Sequence, residues 1–236
     1  RKVRHKFYQR VKEEVGADKI ATGHHRDDHE ETVFMNILRG TGPGGLKGIE
    51  PKRGQYVRPL IEIPKSAIEE YIREKGLSVR TDSTNLTPDY FRNSLRLGLI
   101  PLIKSKYCPH FGESLRRLSE ITRAEQDFMS HYAQMAWADT VRTGNEGIII
   151  DRASFNDLHT ALKNQVLRKA FGEIAGDMKD FEYRHSLLIC DFIVNASSGS
   201  QIHLPRGVVG EMGYQTFTLQ RDKLRQIPDY SYEITV

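Results

Sequence analysis

The amino-acid sequence predicts an α/β protein in which a Rossmann-like parallel sheet is followed by a smaller α+β region. A helix, a short strand and another helix follow one another within residues 1–40, a succession typical of sheets with parallel strands. Over residues 114–141, apolar residues such as Ile121 and Phe128 recur on one face of a long helix. Beyond it the pattern changes to helices and alternating strands. We therefore expect two parts, residues 1–110 and 111–236, with the long helix linking them.

Apolar spacing and helix-ending residues place the individual elements. Helices are predicted where apolar residues return every three or four positions, and strands where apolar and β-branched residues form short runs. Pro101 is expected to interrupt its helix, because proline lacks the amide hydrogen that a helix interior needs. The predicted elements are a helix through Val3, Phe7 and Val11 that ends at Gly16, strand 19–22, helix 27–38, strand 55–63, helices 66–76 and 89–103, the long helix, strand 147–151, helices 154–176 and 181–194, and strands 197–205 and 213–220.

Composition and charge exclude several classes of protein. Hydrophobic residues make up 38% and charged residues 28% of the 236-residue chain, the proportions of a globular protein. No apolar run approaches the length of a membrane span and no secretion signal is visible, so we expect a cytoplasmic protein. Cys108 and Cys190 stand far apart, which argues against a disulfide framework or a cysteine-based metal site. The net charge of +4 favours a polyanionic partner only mildly.

The densest chemistry lies in GHHRDDHEET, where residues 24–31 hold three His and four acids. His24 and Asp28 are four residues apart, as are Asp27 and Glu31, so each pair can share a helix face if the helix begins early enough. The pattern fits a metal site of imidazole and carboxylate ligands, or acids that only complement a helix dipole. It also fits a ligand site at the carboxyl end of a parallel strand, where carboxylates hold Mg²⁺ or an ammonium group.

Two further segments contain residues that form turns or bind phosphate. TGPGGLKG, residues 41–48, is not expected to cradle phosphate, because its glycines follow a helix and not a strand. It is either a flexible flap over an active site or a plain turn. In TDSTNLTPDYFRNSLR, residues 81–96, turn-forming side chains come first. Arg92 and Arg96 follow on one helical face. They are suited to clamping phosphate or, alternatively, form a solvated face paired with nearby acids such as Asp89.

Taken together, these motifs resemble a known family. GHHRDDHEET, LRGTGPGGLKGI, VRPLIEI and DSTNLTPDYFRNSLR stand in the order and spacing found in tRNA(Ile)-lysidine synthetases, which are N-type ATP pyrophosphatases of the PP-loop superfamily. This resemblance covers about residues 1–105. The later ALKNQVLRKAF and IHLPRG segments resemble, less specifically, that family's C-terminal tRNA-binding domain. The resemblance implies a PP-loop domain within residues 1–110 and a linker helix with a tRNA-binding domain within residues 111–236.

The resemblance also implies a reaction. ATP adenylates the C2 oxygen of the wobble cytidine, position 34, in a tRNA(Ile) with a CAU anticodon, and the ε-amino group of free L-lysine then displaces AMP. The modified base pairs with A instead of G, which changes codon reading from AUG to AUA. Such an ATP-dependent carbon–nitrogen ligase needs ATP, Mg²⁺, acids that hold the lysine and positive charge for the tRNA. Whether the protein is a monomer or a homodimer stays open.

The same resemblance assigns residue roles. Asp28 and Glu31 are expected to hold Mg²⁺ or the lysine ammonium group. His24 or His25 is expected to contact the nucleotide or to assist proton transfer from the attacking amine. The expected catalytic residues are therefore His24, His25, Asp28 and Glu31, the expected metal ligands are Asp28 and Glu31, and the residues expected to contact phosphate or tRNA are Arg58, Arg92, Asn93 and Arg96.

The sequence departs from the family pattern in one respect. The family's phosphate-binding SGGxDS loop is expected upstream of the first helix, and no segment matches it, including residues 197–200. We therefore expect these residues to be part of a longer protein and to be inactive alone, because that loop supplies the amides that hold pyrophosphate. Two alternatives are a tRNA-thiolating PP-loop ATPase, disfavoured by the lack of cluster-binding cysteines, and a non-catalytic tRNA-binding fragment.

Overall fold

A computed structural model of the chain describes residues 2–80, 90–144 and 147–222. The chain separates into two units, Arg1–Gln126 and Asp127–Val236, and the dividing point falls within one long helix. The predicted mixture of helices and strands is confirmed. None of the helices in the described ranges is both long enough and apolar enough to cross a membrane.

The first unit combines a small mixed sheet with helices. Strand β1 (Ile20–Ala21) pairs in parallel with β3 (Tyr56–Val57), whereas β2 (Lys52–Arg53) pairs with β3 in the antiparallel direction. The strand predicted over residues 55–63 is thus shorter than expected, because a turn begins at Arg58 and Pro59 cannot donate to a strand ladder. The helices are α1 (Lys2–Glu14), α2 (Arg26–Leu38), α3 (Pro43–Leu46), α4 (Lys65–Glu74), α5 (Phe91–Ser94), α6 (Ile100–Lys106) and α7 (Phe111–Thr140), which continues into the second unit.

Helix α2 anchors the first unit through its apolar face. Val33 is fully buried and Phe34 nearly so, and they form a small core with Leu95 and Leu115. The ring of Phe34 also meets that of Phe111 edge-on, with centroids 5.0 Å apart. This packing holds α2 against the segment that contains α5 and α6 and against the start of α7.

Pro101 does not end its helix, so that prediction was wrong. Helix α5 continues through a π-helical segment, Leu95–Leu99, into α6, which has Pro101 in its first turn. In the π-helical segment the amide of Ile100 bonds to the carbonyl of Leu95, five residues earlier. This wider turn accommodates a residue that has no amide hydrogen and whose ring would otherwise meet the preceding turn.

The second unit is built on a five-stranded antiparallel sheet in the order β4-β5-β8-β7-β6. Helices α9 and α10 supply its core together with the sheet, and the largest fully buried side chains there include Phe155, Phe171 and Phe217. The elements are β4 (Val141–Gly144), β5 (Gly147–Asp151), α8 (Arg152–Asp157), α9 (Thr160–Ala175), α10 (Tyr183–Asn195), β6 (Gln201–Leu204), β7 (Val208–Met212) and β8 (Thr216–Arg221).

Two features of this unit differ from the sequence prediction. The helix expected over residues 154–176 is divided, because Leu158 has an extended backbone and His159 caps a new helix. Strand β7 was not predicted. It contains Gly210, and an added Cβ at that position would lie 2.4 Å from the ring of Phe217. Gly210 therefore allows close packing in a strand, where glycine is otherwise unfavourable.

The apolar face predicted for the long helix is largely exposed. Phe128 is 62% exposed and Ile121 is 53% exposed. Hydrophobic spacing correctly predicted the helix. It does not show whether the apolar face is buried, and the described residues leave this face largely exposed.

Candidate active site

The carboxyl ends of the two parallel strands bring separate parts of the chain together. β1 leads into Thr22, Gly23 and His24, and the Thr22 amide donates a hydrogen bond to the carbonyl of Val57 in β3 at 3.0 Å. Arg58 directly follows β3. Because the two strands are parallel, His24 and Arg58 leave the sheet at the same edge. This is the edge at which open α/β sheets bind ligands.

His25 begins helix α2 as its N-cap. Its Nδ1 accepts a hydrogen bond from the backbone N–H of Asp28 at 3.4 Å, and its own backbone N–H donates to Asp28 Oδ2 at 3.1 Å. The two residues thus form a reciprocal capping box. In addition, Asp27 Oδ2 accepts a hydrogen bond from the Lys65 amide at 2.8 Å, which ties the start of α2 to the start of α4. These contacts fix Asp28 in the first turn of α2.

Asp28 and Glu31 lie one turn apart on α2 and face two arginines. Arg92 bonds to both acids, with Nη2 2.8 Å from Asp28 Oδ1 and Nε 2.8 Å from Glu31 Oε2. Arg96 also bonds to both, with Nε 2.5 Å from Glu31 Oε1 and Nη2 3.2 Å from Asp28 Oδ1. We call these four residues the acid–arginine network. Its two carboxylates and two guanidinium groups balance one another in formal charge.

The acid–arginine network is more enclosed on its acidic side. The side chain of Glu31 is 5% exposed and that of Asp28 is 15% exposed, against 37% for Arg92 and 27% for Arg96. The hydrogen bonds to Glu31 raise the pKa of Arg96 above its ordinary value, although burial opposes this effect. Buried carboxylates need a charged partner. The two acids therefore form a site that must hold cationic donors, and the more exposed arginines are the partners they hold in this structure.

His24 stands just before the capping residue in a different environment. It is half-buried, and its Nδ1 lies 2.9 Å from Thr22 Oγ1. Burial lowers the pKa of His24, and the positive charges of Arg58, Arg92 and Arg4 lower it further, while Asp28 opposes them. The ring is therefore held in its neutral form at neutral pH.

Arg58 and Asn93, which the sequence also predicted to contact phosphate or tRNA, are not members of the acid–arginine network. The guanidinium of Arg58 donates to the carbonyl of Glu50 at 2.6 Å, so it lies near His24 but outside the acid–arginine network. Asn93 is 8% exposed and therefore enclosed. The turn-forming TDSTN segment lies within residues 81–89, outside the described residues.

The glycine-rich segment forms a helical turn packed against α2. Helix α3 lies within it, and Asn36 of α2 donates a hydrogen bond to the carbonyl of Gly45 at 2.8 Å. Gly48 has φ +64°, and an added Cβ there would lie 2.6 Å from the His29 ring and 2.7 Å from Val33. The glycine at position 48 is thus explained by close packing on α2 and by its backbone conformation.

Glu30 is a buried acid that the sequence analysis did not single out. Its carboxylate lies 3.7 Å from Lys104 Nζ beside a cavity of about 400 Å³, and burial raises the pKa of Glu30. Glu30 is three and four residues before Val33 and Phe34, so it lies on the buried face of α2. That helical spacing was the signal in the sequence that could have identified it.

The arrangement does not fit a divalent metal ion. Within the three described ranges, no group of three or more His, Cys, Asp or Glu side chains is placed to hold one. Asp28 and Glu31, the expected Mg²⁺ ligands, already accept hydrogen bonds from guanidinium groups. A metal ion bound there would lie beside two positive charges, so these side chains suit an organic cation better than Mg²⁺.

Comparison with known proteins identifies the class of the first unit. Residues 1–103, which lie within the first unit, match the family model of the PP-loop domain. The chain is 35% identical over 223 residues to a tRNA(Ile)-lysidine synthase of Clostridium acetobutylicum, covering 93% of this chain and 48% of the relative. It is 33% identical over 226 residues to the tRNA(Ile)-lysidine synthase of Caldanaerobacter subterraneus subsp. tengcongensis, and this match covers 96% of this chain and 48% of the relative. It is 34% identical over 210 residues to that of Clostridioides difficile, a match that covers 88% of this chain and 46% of the relative.

The similarity extends over both units and supports the tRNA(Ile)-lysidine synthetase family, as the resemblance of the motifs predicted. The chain spans about half the length of the curated relatives that it matches.

Proposed function

We propose that this protein is a tRNA(Ile)-lysidine synthetase. It uses ATP to adenylate the C2 oxygen of cytidine 34 in tRNA(Ile) with a CAU anticodon, and it then forms a carbon–nitrogen bond between C2 and the ε-amino group of free L-lysine. The observation that carries this proposal is the acid–arginine network, which lies beyond the carboxyl edge of the sheet in a chain similar to this family. The thiolation alternative has no comparable support.

In this proposal Asp28 and Glu31 hold the lysine ammonium group. The two acids are enclosed and need cationic N–H donors, which an ammonium group supplies as well as a guanidinium group does. Arg92 and Arg96 are more exposed than their partners, so they are the groups that give way when lysine enters. Once released, they are available to bind phosphate, for which the fork of a guanidinium group is well suited.

The remaining roles are assigned on the same basis. Arg58 lies at the carboxyl edge of the sheet and is proposed, with Arg92, Asn93 and Arg96, to contact phosphate or tRNA. ATP is the nucleotide, as the PP-loop class supports. Mg²⁺ is expected to accompany the phosphates of ATP, and when bound it would neutralise their charge. The acid–arginine network as arranged does not provide its ligands.

We also propose an assignment for each part of the chain. Residues 1–110 form part of a Rossmann-like PP-loop domain, and residues 111–236 comprise the linker helix and a tRNA-binding domain. The relatives support this assignment because the similarity extends across both parts. The protein is proposed to act in the cytoplasm, as a monomer or a homodimer.

The test is a lysidine-formation assay on the product of the complete reading frame and, in parallel, on these 236 residues. Radiolabelled lysine is incubated with ATP and a tRNA(Ile) transcript carrying the CAU anticodon, and both incorporation and AMP release are measured. Asp28→Asn is expected to raise the KM for lysine about 10- to 100-fold, because a charge-assisted hydrogen bond contributes about 1.5–3 kcal/mol. The control is Glu69→Gln, an exposed acid 3.1 Å from Lys65, and it is expected to keep full activity.

Three results would contradict the proposal for the complete protein. AMP release that does not depend on lysine would exclude lysine as the acceptor. Salt-sensitive tRNA binding without turnover would indicate a binding module. Incorporation of sulfur into the tRNA would identify a thiolating enzyme. Equal melting temperatures of the wild type and Asp28→Asn are required to attribute lost activity to the site.

A further inference from the structure

The two adjacent histidines use their ring nitrogens differently. His25 accepts a backbone hydrogen bond at Nδ1 from Asp28, so Nδ1 carries no proton in this arrangement and the ring proton lies on Nε2. That Nε2 is 3.4 Å from Asp28 Oδ2. Nδ1 also lies 3.6 Å from Asp27 Oδ2. Both ring nitrogens of His25 are therefore occupied by groups in the first turn of α2, and in this arrangement neither has a lone pair available for a substrate proton.

His24 has the arrangement that a general base requires. Its Nδ1 is 2.9 Å from the Thr22 hydroxyl, which can accept the Nδ1 proton and orient the ring. Nε2 then carries the lone pair, and within residues 2–80, 90–144 and 147–222 no side chain forms a hydrogen bond or ion pair with it. The Thr22 contact orients the ring, as the third member of a catalytic triad orients its base, and its hydroxyl oxygen can accept a hydrogen bond from the Nδ1 proton.

Charged groups from four elements surround His24. Asp28 faces it from α2 and favours its protonation, whereas Arg4 of α1, Arg92 of α5 and Arg58 after β3 oppose protonation. Burial acts in the same direction as the arginines and is the largest effect, so the pKa of His24 lies below its ordinary value. At neutral pH the ring is thus ready to accept a proton.

We propose that His24 is the general base for transfer of lysine to the adenylated tRNA, and that His25 is a positioning residue that holds Asp28. This assignment rests on the proposed function. The ε-amino nitrogen forms a bond to C2 of the cytidine, the bond between C2 and the oxygen of AMP breaks, and AMP leaves with the electron pair. Nε2 of His24 takes the proton of the ammonium group and so frees the lone pair that attacks C2. The second proton, which the nitrogen loses when the bond forms, is taken up by the phosphate of the departing AMP. Asp28, fixed by the His25 cap, holds the lysine ammonium group before its deprotonation.

The test separates the two chemical steps in the complete protein. Adenylation is measured as pyrophosphate release without lysine, and lysine transfer as AMP release by rapid quench after lysine is added. His24→Gln is expected to slow lysine transfer about 100-fold or more, the usual contribution of general base catalysis, and to leave adenylation unchanged. It should also abolish the fall in transfer rate that the wild type has at acidic pH.

His25→Asn is the matched variant, since asparagine also caps helices well. It is expected to keep the acidic limb of the pH profile, which His24→Gln loses. Glu69→Gln, which lies outside the site, is the variant expected to transfer lysine at the wild-type rate. His25→Leu, which cannot cap, is expected to raise the KM for lysine by displacing Asp28. Nitrogen-15 spectra of the imidazole rings provide a measurement that does not depend on turnover, and His25 should carry its proton on Nε2.

Each alternative result overturns a defined statement. Wild-type transfer rates and an unchanged pH profile in His24→Gln would overturn the assignment of His24. Loss of the acidic limb of the pH profile in His25→Asn as well as in His24→Gln would overturn the division of roles. If the wild-type protein itself forms no lysidine, the proposed function fails, and the assignment fails with it.

Discussion

Replacing Glu31 with Gln measures how strongly the acid–arginine network stabilises the first unit. Glu31 accepts three hydrogen bonds from Arg92 and Arg96, at 2.5, 2.8 and 2.9 Å, and its side chain is 5% exposed. Removing one partner of a buried ion pair costs about 3–5 kcal/mol. Solvent screens the two arginines, which are 37% and 27% exposed. We therefore expect the low end of that range, a loss of about 3 kcal/mol in the free energy of unfolding.

Urea unfolding followed by far-ultraviolet circular dichroism is the appropriate assay. Trp137 is the sole tryptophan and lies in the second unit, so its fluorescence would miss unfolding that is confined to the first. Glu69→Gln is the matched control, since it removes one carboxylate charge from an ion pair with Lys65 whose side chains are 62% and 52% exposed. Such a surface pair contributes about 0–1 kcal/mol.

Equal losses in the two variants, each below about 1 kcal/mol, would refute the reasoning. Such a result would mean that α2 and α5 are held together by apolar packing alone, and that solvent reaches the carboxylate of Glu31. It would also weaken the argument that these acids require a cationic partner and so select the lysine ammonium group.

Three further predictions concern local structure. Gly48→Ala is expected to lower the melting temperature more than Gly54→Ala does. Both positions have positive φ, but only at Gly48 would the new Cβ meet neighbouring atoms. Equal melting temperatures of the two variants would contradict this. Burial lowers the pKa of His29, so the unfolded state takes up a proton first as the pH falls. The free energy of unfolding should therefore decrease below about pH 6.5, and His29→Asn should make this decrease less steep. An unchanged pH dependence in His29→Asn would exclude His29 as its source. Asp151→Ala should cost about 1 kcal/mol by removing the α8 cap that accepts the Ser154 amide at 2.9 Å, measured by urea unfolding, and no loss would indicate that water replaces the cap.

The sequence predicted local elements better than long-range contacts. Acids in the first turn predicted helix α2, and the mixed helix and strand class followed from the order of elements. Arg92 and Arg96 lie on one side of a helical segment, as predicted, but the expected partners were acids nearby in the sequence, such as Asp89. Their actual partners are Asp28 and Glu31, between 61 and 68 residues earlier in the chain. Local periodicity contains no information about such a pairing, which depends on the packing of α2 against the later segment.

Helical geometry also explains why the acid- and histidine-rich run does not converge on one point. Successive residues of an α-helix point about 100° apart, so a dense run of ligands spreads around the helix. His29 bonds to the backbone of Ile49, Glu30 faces Lys104, and Glu31 faces the two arginines. His24 precedes the helix altogether. A metal site needs ligands that converge on one point. Here proximity in sequence produces separate environments in space: Asp28 and Glu31 share the two arginines, whereas burial and nearby arginines lower the pKa of His24.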